Sequence, residues 1–428
     1  MRSTSRGRLS RRDFARVAIA AGTGAVWASA APTAPSGPSI AETLRDGVNK
    51  RGIPAIVALV ATGEKYLYTG AFGKRDTETG TPIKLDSIFA IASMTKAITT
   101  TAAMQLVEQG KVRLDEPVAA HLPQLNKLQV IAGFEANGEP KLRPATKSVT
   151  LRHLLTHTSG FAYDTWNESM FKYASKTGTI GAPPLNEPPA PLAFEPGAAW
   201  QYGIGIDWAG KLVETVSNMP LEDYFQKYIL KPLGMNDTSF IVPPQKFDRL
   251  VTGYTRQADG TLKQNARVQP DPPKLFLGGG GLYSTAADYV HFMQMILGRG
   301  SRRQVQVLKP TTVTEMSKNQ IGMLGAGKLK TFRPERSAEV DLHPGATDRW
   351  GLGFLLNPTA YEGGRSSGSL AWAGINNTYY WIDPKKGICA VLMMQFLPFV
   401  DSEAVGLLGD FERAVYANLP AEKDKPSA

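Results

Sequence analysis

The sequence predicts a mixed α+β fold: one antiparallel sheet built from both ends of the chain, with a mainly helical region inserted between them. Three observations carry this. Strand-like runs occur near the N-terminus, at 53–73, and again after Arg349. Between them the apolar residues recur at helical spacing rather than alternating. Short turn signals, Gly63-Glu64-Lys65 and Asp383-Pro384-Lys385-Lys386-Gly387, join neighbouring strand runs closely enough for antiparallel pairing.

The first twelve residues are rich in arginine and precede a moderately apolar stretch, 17–30, that ends in Ala28-Ser29-Ala30. That order reads as a signal peptide over residues 1–30. Ser10-Arg11-Arg12-Asp13-Phe14 resembles a twin-arginine export signal, with Ala15 where leucine is commoner. The precursor would then use the twin-arginine machinery and end in the periplasm or outside the cell. Residues 31–39, rich in Pro, Ser and Ala, read as a linker.

The catalytic domain is expected over 40–420. Its α/β part would comprise about 40–92 and 349–418, its helical part about 93–348. Helical spacing marks 40–50. Residues 53–73 read as a hairpin. Residues 93–109 give the clearest helix, with Met94, Ala97, Ile98, Met104, Leu106 and Val107 at helical spacing and Gly110 as its stop. A short helix starts at 150–156, the Pro/Gly-rich 178–196 reads as loop, and 221–229 and 286–297 read as helices. Thr285 and Asp288 make a capping box for the last. Residues 321–348 read as a long loop. The runs 350–356, 370–382 and 388–396 read as strands, and 404–417 as a closing amphipathic helix.

Composition narrows the function. Hydrophobic residues are 42% and charged residues 20% of 428, an ordinary globular balance. The formal charge is +10, but half of it lies in the first thirty residues. The remaining excess is too diffuse for nucleic-acid binding. Cys389 is the single cysteine, so no internal disulfide forms. The five histidines form no zinc-spaced cluster with it. No continuous run of ~18 apolar residues supports a transmembrane anchor.

The chemistry centres on Ser93-Met94-Thr95-Lys96. On a helix, residues three apart share a face, which sets Lys96 beside the Ser93 hydroxyl. A serine hydroxyl attacks well only when a base removes its proton. A lysine in apolar surroundings sheds charge readily enough to be that base. Alone, the tetrad equally suits an N-cap serine beside a solvated lysine. The rest of the chain supplies context. Phe89-Ala90-Ile91-Ala92-Ser93-Met94-Thr95-Lys96, Leu154-Leu155-Thr156-His157-Thr158-Ser159-Gly160, Phe194-Glu195-Pro196-Gly197 leading to Tyr202, and Gly279-Gly280-Gly281-Leu282-Tyr283-Ser284-Thr285 resemble the serine hydrolases of the class C β-lactamase and DD-peptidase superfamily. The resemblance spans most of 40–415 and implies a β-lactamase/penicillin-binding-protein-like fold.

It also implies site residues. Tyr202-Gly203-Ile204 stands where the family often has Tyr-x-Asn, so Tyr202 is implied as the phenol that shares proton transfer with Lys96. Ile204 lacks the amide that contacts a substrate. Trp372-Ala373-Gly374 replaces Lys-Thr-Gly and is similar to the family VIII carboxylesterases. Trp372 would offer an apolar wall in place of a cation, and Gly374 close backbone approach. The amides of Ser93 and Ile375 would form the oxyanion hole. Trp372, Ala373, Gly374 and Ile204 are the expected substrate contacts, with Tyr163, Trp166 and Phe332 lining the pocket from the loops at 160–195 and 321–348. The resemblance thus implies an exported carboxylesterase acting through an acyl-serine on a small ester, with no metal or organic cofactor. Three alternatives remain: a β-lactam or amide hydrolase on the same site, a hydrolase using Ser366 of Gly364-Arg365-Ser366-Ser367-Gly368, and a non-catalytic binding protein. A polar loop precedes Ser366 where a nucleophile elbow needs an apolar strand. His157 sits in a turn-like Thr-His-Thr-Ser-Gly setting rather than that of a triad base. The glycine run 278–281 lacks the Gly-Lys-[Ser/Thr] of a phosphate loop.

Overall fold

Residues 55–61 are apolar without interruption, the pattern of a strand covered on both faces. They form the middle of the sheet. The computed structural model describes residues 38–185 and 187–419. In it β1 (Ala55–Thr62) is buried except at Thr62. It pairs antiparallel with β2 (Tyr66–Asp76) on one edge. On the other it pairs with β8 (Ile388–Met393), Val57 facing Met393 and Leu59 facing Val391. The two ends of the chain therefore meet at the sheet's centre. With β3 (Thr81–Pro82), β4 (Arg349–Trp350), β5 (Leu355–Leu356), β6 (Leu370–Gly374) and β7 (Thr378–Asp383), the eight strands run in the order β4-β5-β6-β7-β8-β1-β2-β3. This is the expected mixed fold.

Helices cover both faces. Neighbouring residues on a strand point to opposite sides. On β7, Tyr380 meets Tyr289 of α4 (Ala286–Leu297), ring centroids 5.0 Å apart. The next residue, Trp381, meets Phe411 of α5 (Ser402–Ala417) at 5.6 Å on the other side. α1 (Ile40–Asn49) packs on α5 and on β1 and β2. Its start is fixed by Ser39 and Glu42, which exchange side-chain and backbone hydrogen bonds as a capping box. α2 (Thr95–Glu108) and α3 (Gly205–Ser217) pack together at the heart of the helical region.

Several elements differ from the sequence pattern. Residues 370–382 are two strands, broken at Ile375-Asn376-Asn377, where Asn377 has φ +59°. Its side chain bonds the Phe396 and Pro398 carbonyls and the Val400 amide, which makes the turn. Residues 350–356 likewise form two dipeptide strands around a turn. The 221–229 helix changes to π geometry at Gln226. Regular α2 begins at Thr95, after a 3₁₀ turn over Ala92–Met94. Helix Glu168–Thr177, α3, and the hairpin of Gln129–Phe134 with Pro140–Pro144 were not read from the pattern. The signal-peptide segment 1–30 lies outside the described residues, as does most of the 31–39 linker. Among the described residues no helix is long and apolar enough to cross a membrane.

One buried ion pair ties the C-terminal helix to the sheet. The Arg365 Nε and Nη2 donate to Glu412 of α5 at 2.9 and 2.5 Å, and the Arg365 amide donates to the same carboxylate at 2.9 Å. The guanidinium lies over the Trp381 and Tyr361 rings. Removing one partner of such a pair strands the other charge. Glu412→Ala is therefore expected to cost about 3–5 kcal/mol in urea unfolding. A loss below about 1 kcal/mol would show that Arg365 finds water or another partner at little cost.

Candidate active site

Phe89–Ala90 pairs with Tyr283–Ser284, and this ribbon delivers the chain to Ser93. The residue before the serine, Ala92, holds φ +45°, a left-handed conformation that costs a non-glycine residue of order 1–3 kcal/mol. The strained turn places a half-buried Ser93 just ahead of α2. The helix then runs through the interior, with residues 95–106 all buried. Two of its threonines bond to neighbouring chain. Thr99 Oγ1 donates to the Gly278 carbonyl at 2.6 Å, and Thr95 Oγ1 accepts from the Leu282 amide at 3.1 Å. The hydroxyls thus fasten the glycine run 278–281 along the helix.

Lys96 is 0% exposed. Its Nζ has three oxygen neighbours: Ser93 Oγ at 3.3 Å, the Tyr163 hydroxyl at 3.2 Å and the Gly279 carbonyl at 2.5 Å. The carbonyl only accepts, so one N–H is committed to it. The two hydroxyls can donate or accept. An ammonium would give all three a proton, while a neutral amine could take the serine proton on its lone pair. Burial, followed by the charge of Asp207 and then Tyr202, pushes the Tyr163 phenol well above its usual range. Tyr163 therefore keeps its proton across the neutral range.

Tyr202 is 2% exposed and presents the face of its ring to Lys96, whose Nζ lies 4.8 Å from the centroid. Its hydroxyl accepts from the Trp372 indole N–H at 3.1 Å. The sequence paired Lys96 with Tyr202; the phenolic hydroxyl that Lys96 meets is that of Tyr163. Trp372, 4% exposed, does not stand free as a wall. It packs between Tyr202 and Trp350, at 4.8 Å from each, and holds the Tyr202 hydroxyl. His157 lies in the same aromatic group, 4.7 Å from Tyr202 and 4.9 Å from Trp350. Its Nδ1 accepts from the Gly203 amide at 3.4 Å. Burial, and then the charge of Lys96, holds this imidazole well below its usual range. His157 is thus a neutral support for the Tyr202 turn and sits away from any serine in triad geometry.

The other expected contacts divide. Ile375 begins the β6–β7 turn beside the nucleophile, where the Asn376 side chain donates to the Ala90 carbonyl at 3.2 Å. A Cβ on Gly374 would meet the Ile91 carbonyl at 2.4 Å. The close approach that Gly374 permits is to the protein's own turn before Ser93. Ala373 is buried and, by strand alternation, faces away from Trp372, so its side chain is not a substrate contact. Ile204 lines a cavity of about 790 Å³ together with Tyr163, Asp164, Glu187, Arg333 and Arg336. The two long loops border this cavity. Trp166 is buried behind it, its indole N–H on Ser337 at 3.0 Å, and Phe332 stacks on Phe171 at 6.1 Å.

Two participants were given no role from the sequence, Gly279 although it stands in the glycine motif, and Asp207 for want of any signal. Gly279 supplies the carbonyl on Lys96. Asp207, in the first turn of α3 and 2% exposed, accepts from the Gly279 amide at 2.8 Å. Ser366 is remote from this group: its amide is bonded to Asp383 and its carbonyl to Asn357, which makes Gly364–Gly368 a structural loop.

Comparison with known proteins agrees with the fold. Residues 40–412 match the Beta-lactamase family. Monacolin J acid methylbutanoyltransferase of Aspergillus terreus is 32% identical over 405 residues, covering 87% of this chain and 94% of that one. Lovastatin esterase of Penicillium rubens is 30% identical, covering 86% and 95%. A solved structure of simvastatin synthase from Aspergillus terreus, the LovD6 mutant, superposes with TM-score 0.76 at 32% identity, covering 88% of this chain and 93% of that one. A serine and a buried lysine at the head of α2, closed in by tyrosines and by a strand from the far end of the chain, thus belong to a serine hydrolase and acyltransferase scaffold, and the chain is a member of the Beta-lactamase family.

Proposed function

We propose that this protein is an esterase that works through an acyl-serine and can pass the acyl group to an alcohol as well as to water. The observation that carries the reading is the Lys96 Nζ, buried and 3.3 Å from the Ser93 hydroxyl. Ser93 Oγ bonds to the ester carbonyl carbon as Lys96 takes its proton. The carbonyl oxygen gains the electron pair and rests on the Ser93 and Ile375 amides. The pair returns, the ester C–O bond breaks, and the departing alkoxide takes a proton from Lys96 or from Tyr202, whose phenolic proton is free because its oxygen accepts from Trp372. Water or a second alcohol then attacks the acyl-serine with the same groups in reverse. Trp372 and Ile204 replace the cation and amide that would grip a β-lactam, which favours esters over amides.

The cavity narrows the substrate class. Arg333 on its wall is held by Asp164 and Glu335. Arg336, half-buried on the same wall, has no acid partner among the described residues. A relative at 32% identity is named for transfer to an acid, monacolin J acid. Arg336 is therefore read as the anchor for a carboxylate on the alcohol that gives or receives the acyl group. The Ser10–Phe14 pattern supports a further reading, export of the folded precursor by the twin-arginine route.

Three measurements test this. Ser93→Ala is expected to lower p-nitrophenyl butyrate turnover by about 10⁴-fold or more, with nitrocefin a far poorer substrate of the parent enzyme. Wild-type-like turnover by that variant sinks the assignment, and comparable use of nitrocefin moves it to a β-lactamase. Arg336→Gln should cost about 10–100-fold in kcat/KM on an ester bearing a remote carboxylate and little on its methyl-capped twin. Equal losses on both esters would refute the anchor. Cell fractionation should find the mature chain outside the cytoplasm and the Arg11→Lys, Arg12→Lys precursor inside it; unchanged export would remove the twin-arginine reading.

A further inference from the structure

A buried lysine that takes a proton from serine acquires a full charge inside the protein, and an unpaired charge there costs several kcal/mol. The groups facing Lys96 are Ser93, Tyr163 and Gly279 by hydrogen bond, the Tyr202 ring, and His157 through its charge interaction. None of these carries a negative charge while the two phenols hold their protons. The acid across the strap from Lys96 is Asp207, on α3: burial pushes its carboxyl above the usual range, and the Lys96 side chain and the Gly279 amide pull it back down.

The connection between the two is one residue thick. The Gly279 carbonyl accepts from Lys96 at 2.5 Å, and the Gly279 amide donates to Asp207 Oδ1 at 2.8 Å. A Cβ on Gly279 would sit 2.3 Å from Asp207 Oδ2, so only glycine lets the strap pass between them. Oδ2 itself is buried and has no hydrogen-bond partner among the described residues. A tie to the strap alone needs one acceptor oxygen, which a neutral asparagine provides. A second, orphaned carboxylate oxygen is expensive in that role, and a positive charge formed on Lys96 across the strap would compensate it. The first turn of α3 adds the positive end of the helix dipole.

We propose that Asp207 is a positioning residue for Lys96, acting across Gly279 as the fixed counter-charge to the ammonium formed when Ser93 is deprotonated. The Ser93 O–H bond breaks and an Nζ–H bond forms as Oγ joins the acyl carbon. Asp207 stays ionised throughout and takes no proton, a part comparable to the third group that steadies a catalytic base. The two glycine faces make the strap a spacer. Direct contact would trap the proton on Lys96, and a longer gap would let the charge go uncompensated. The inference rests on Lys96 being the base.

The test is the pH dependence of kcat/KM on p-nitrophenyl butyrate for the parent, Asp207→Asn and Asp207→Glu. Asparagine keeps the bond to the Gly279 amide and removes the charge. A nearby anion favours the protonated lysine, so its loss should move the acid limb of the profile to lower pH by about one unit or more, with a lower plateau. Asp207→Glu should keep the parental limb. An acid limb that stays in place in Asp207→Asn, whatever happens to the plateau, overturns the proposal and leaves Asp207 a structural tie. Should Asp207→Asn fail to fold, carboxyl carbon-13 NMR of the parent, assigned against Asp207→Glu, decides the matter. Asp207 must be ionised over the whole pH range in which activity rises, and a protonated carboxyl there overturns it. Fluorophosphonate labelling, traced to Ser93 by mass, separates failure of this inference from failure of the esterase reading. A labelled Ser93 with an unmoved limb refutes only the former.

Discussion

The Lys96 nitrogen and its three oxygens are the constraint around which this molecule is arranged. A lysine head group with no exposure is tolerated only where every N–H is met. Here the oxygens come from three distant places: the turn before α2, the loop after Gly160, and the glycine run that follows residue 277. Each of those segments is held by other means. The first is pinned by the short ribbon with Tyr283–Ser284, and the last by the threonines of α2. The hydroxyl-rich, almost fully buried character of α2 follows from this, since a wholly apolar helix could not hold the strap whose carbonyl Lys96 requires.

The sheet reaches the same point from its opposite end. β6 brings Trp372 onto the helical face, and its indole N–H fixes the Tyr202 hydroxyl. Tyr202 is then gripped on three sides, by Trp372, by His157 and by the Lys96 Nζ over its ring. The substitution of tryptophan for the lysine of β-lactamases therefore alters more than the substrate's electrostatics. It removes a cation and installs a donor that orients the Tyr202 hydroxyl. A neutral His157, kept so by burial, completes the support without competing for the proton.

What the sequence made legible divides along the same lines. Ser93 and Lys96 were readable because three residues on a helix define a distance, and the 3₁₀ turn that replaces the first turn of helix preserves it. Tyr202, Trp372 and Ile375 became readable only through resemblance, because nothing local distinguishes a loop tyrosine or a strand tryptophan. Asp207 was illegible, and Gly279 was visible only as part of a glycine motif, without its contact to Lys96. One is an acidic residue early in a helix, the other a glycine among four, and their meaning lies in a contact spanning 72 residues. The sheet was legible from uninterrupted apolar runs. Its break at Asn377 was not, since the side chain that makes the turn bonds to backbone about twenty residues on.

On the proposed reading, whether water or an alcohol takes the acyl group depends on occupancy rather than on the catalytic groups. The same base and phenols activate either nucleophile, and bulk water is about 55 M, so an alcohol competes only if it is bound and aligned. Well-oriented reactants reach effective concentrations of about 10⁵ M or more, which is ample to outrun water once the alcohol is held. A cavity of about 790 Å³ that begins at Tyr163, the phenol bonded to Lys96, and extends to Arg336 gives such an alcohol a place to be held. An acceptor anchored at the guanidinium would enter along the cavity with its hydroxyl toward the catalytic end and displace the water that would otherwise hydrolyse the acyl-serine. If the protein is the esterase and acyltransferase proposed above, hydrolysis and transfer would be two outcomes of one site, and the balance between them would be a property of the cavity wall, where Arg336 stands, rather than of Ser93 and Lys96.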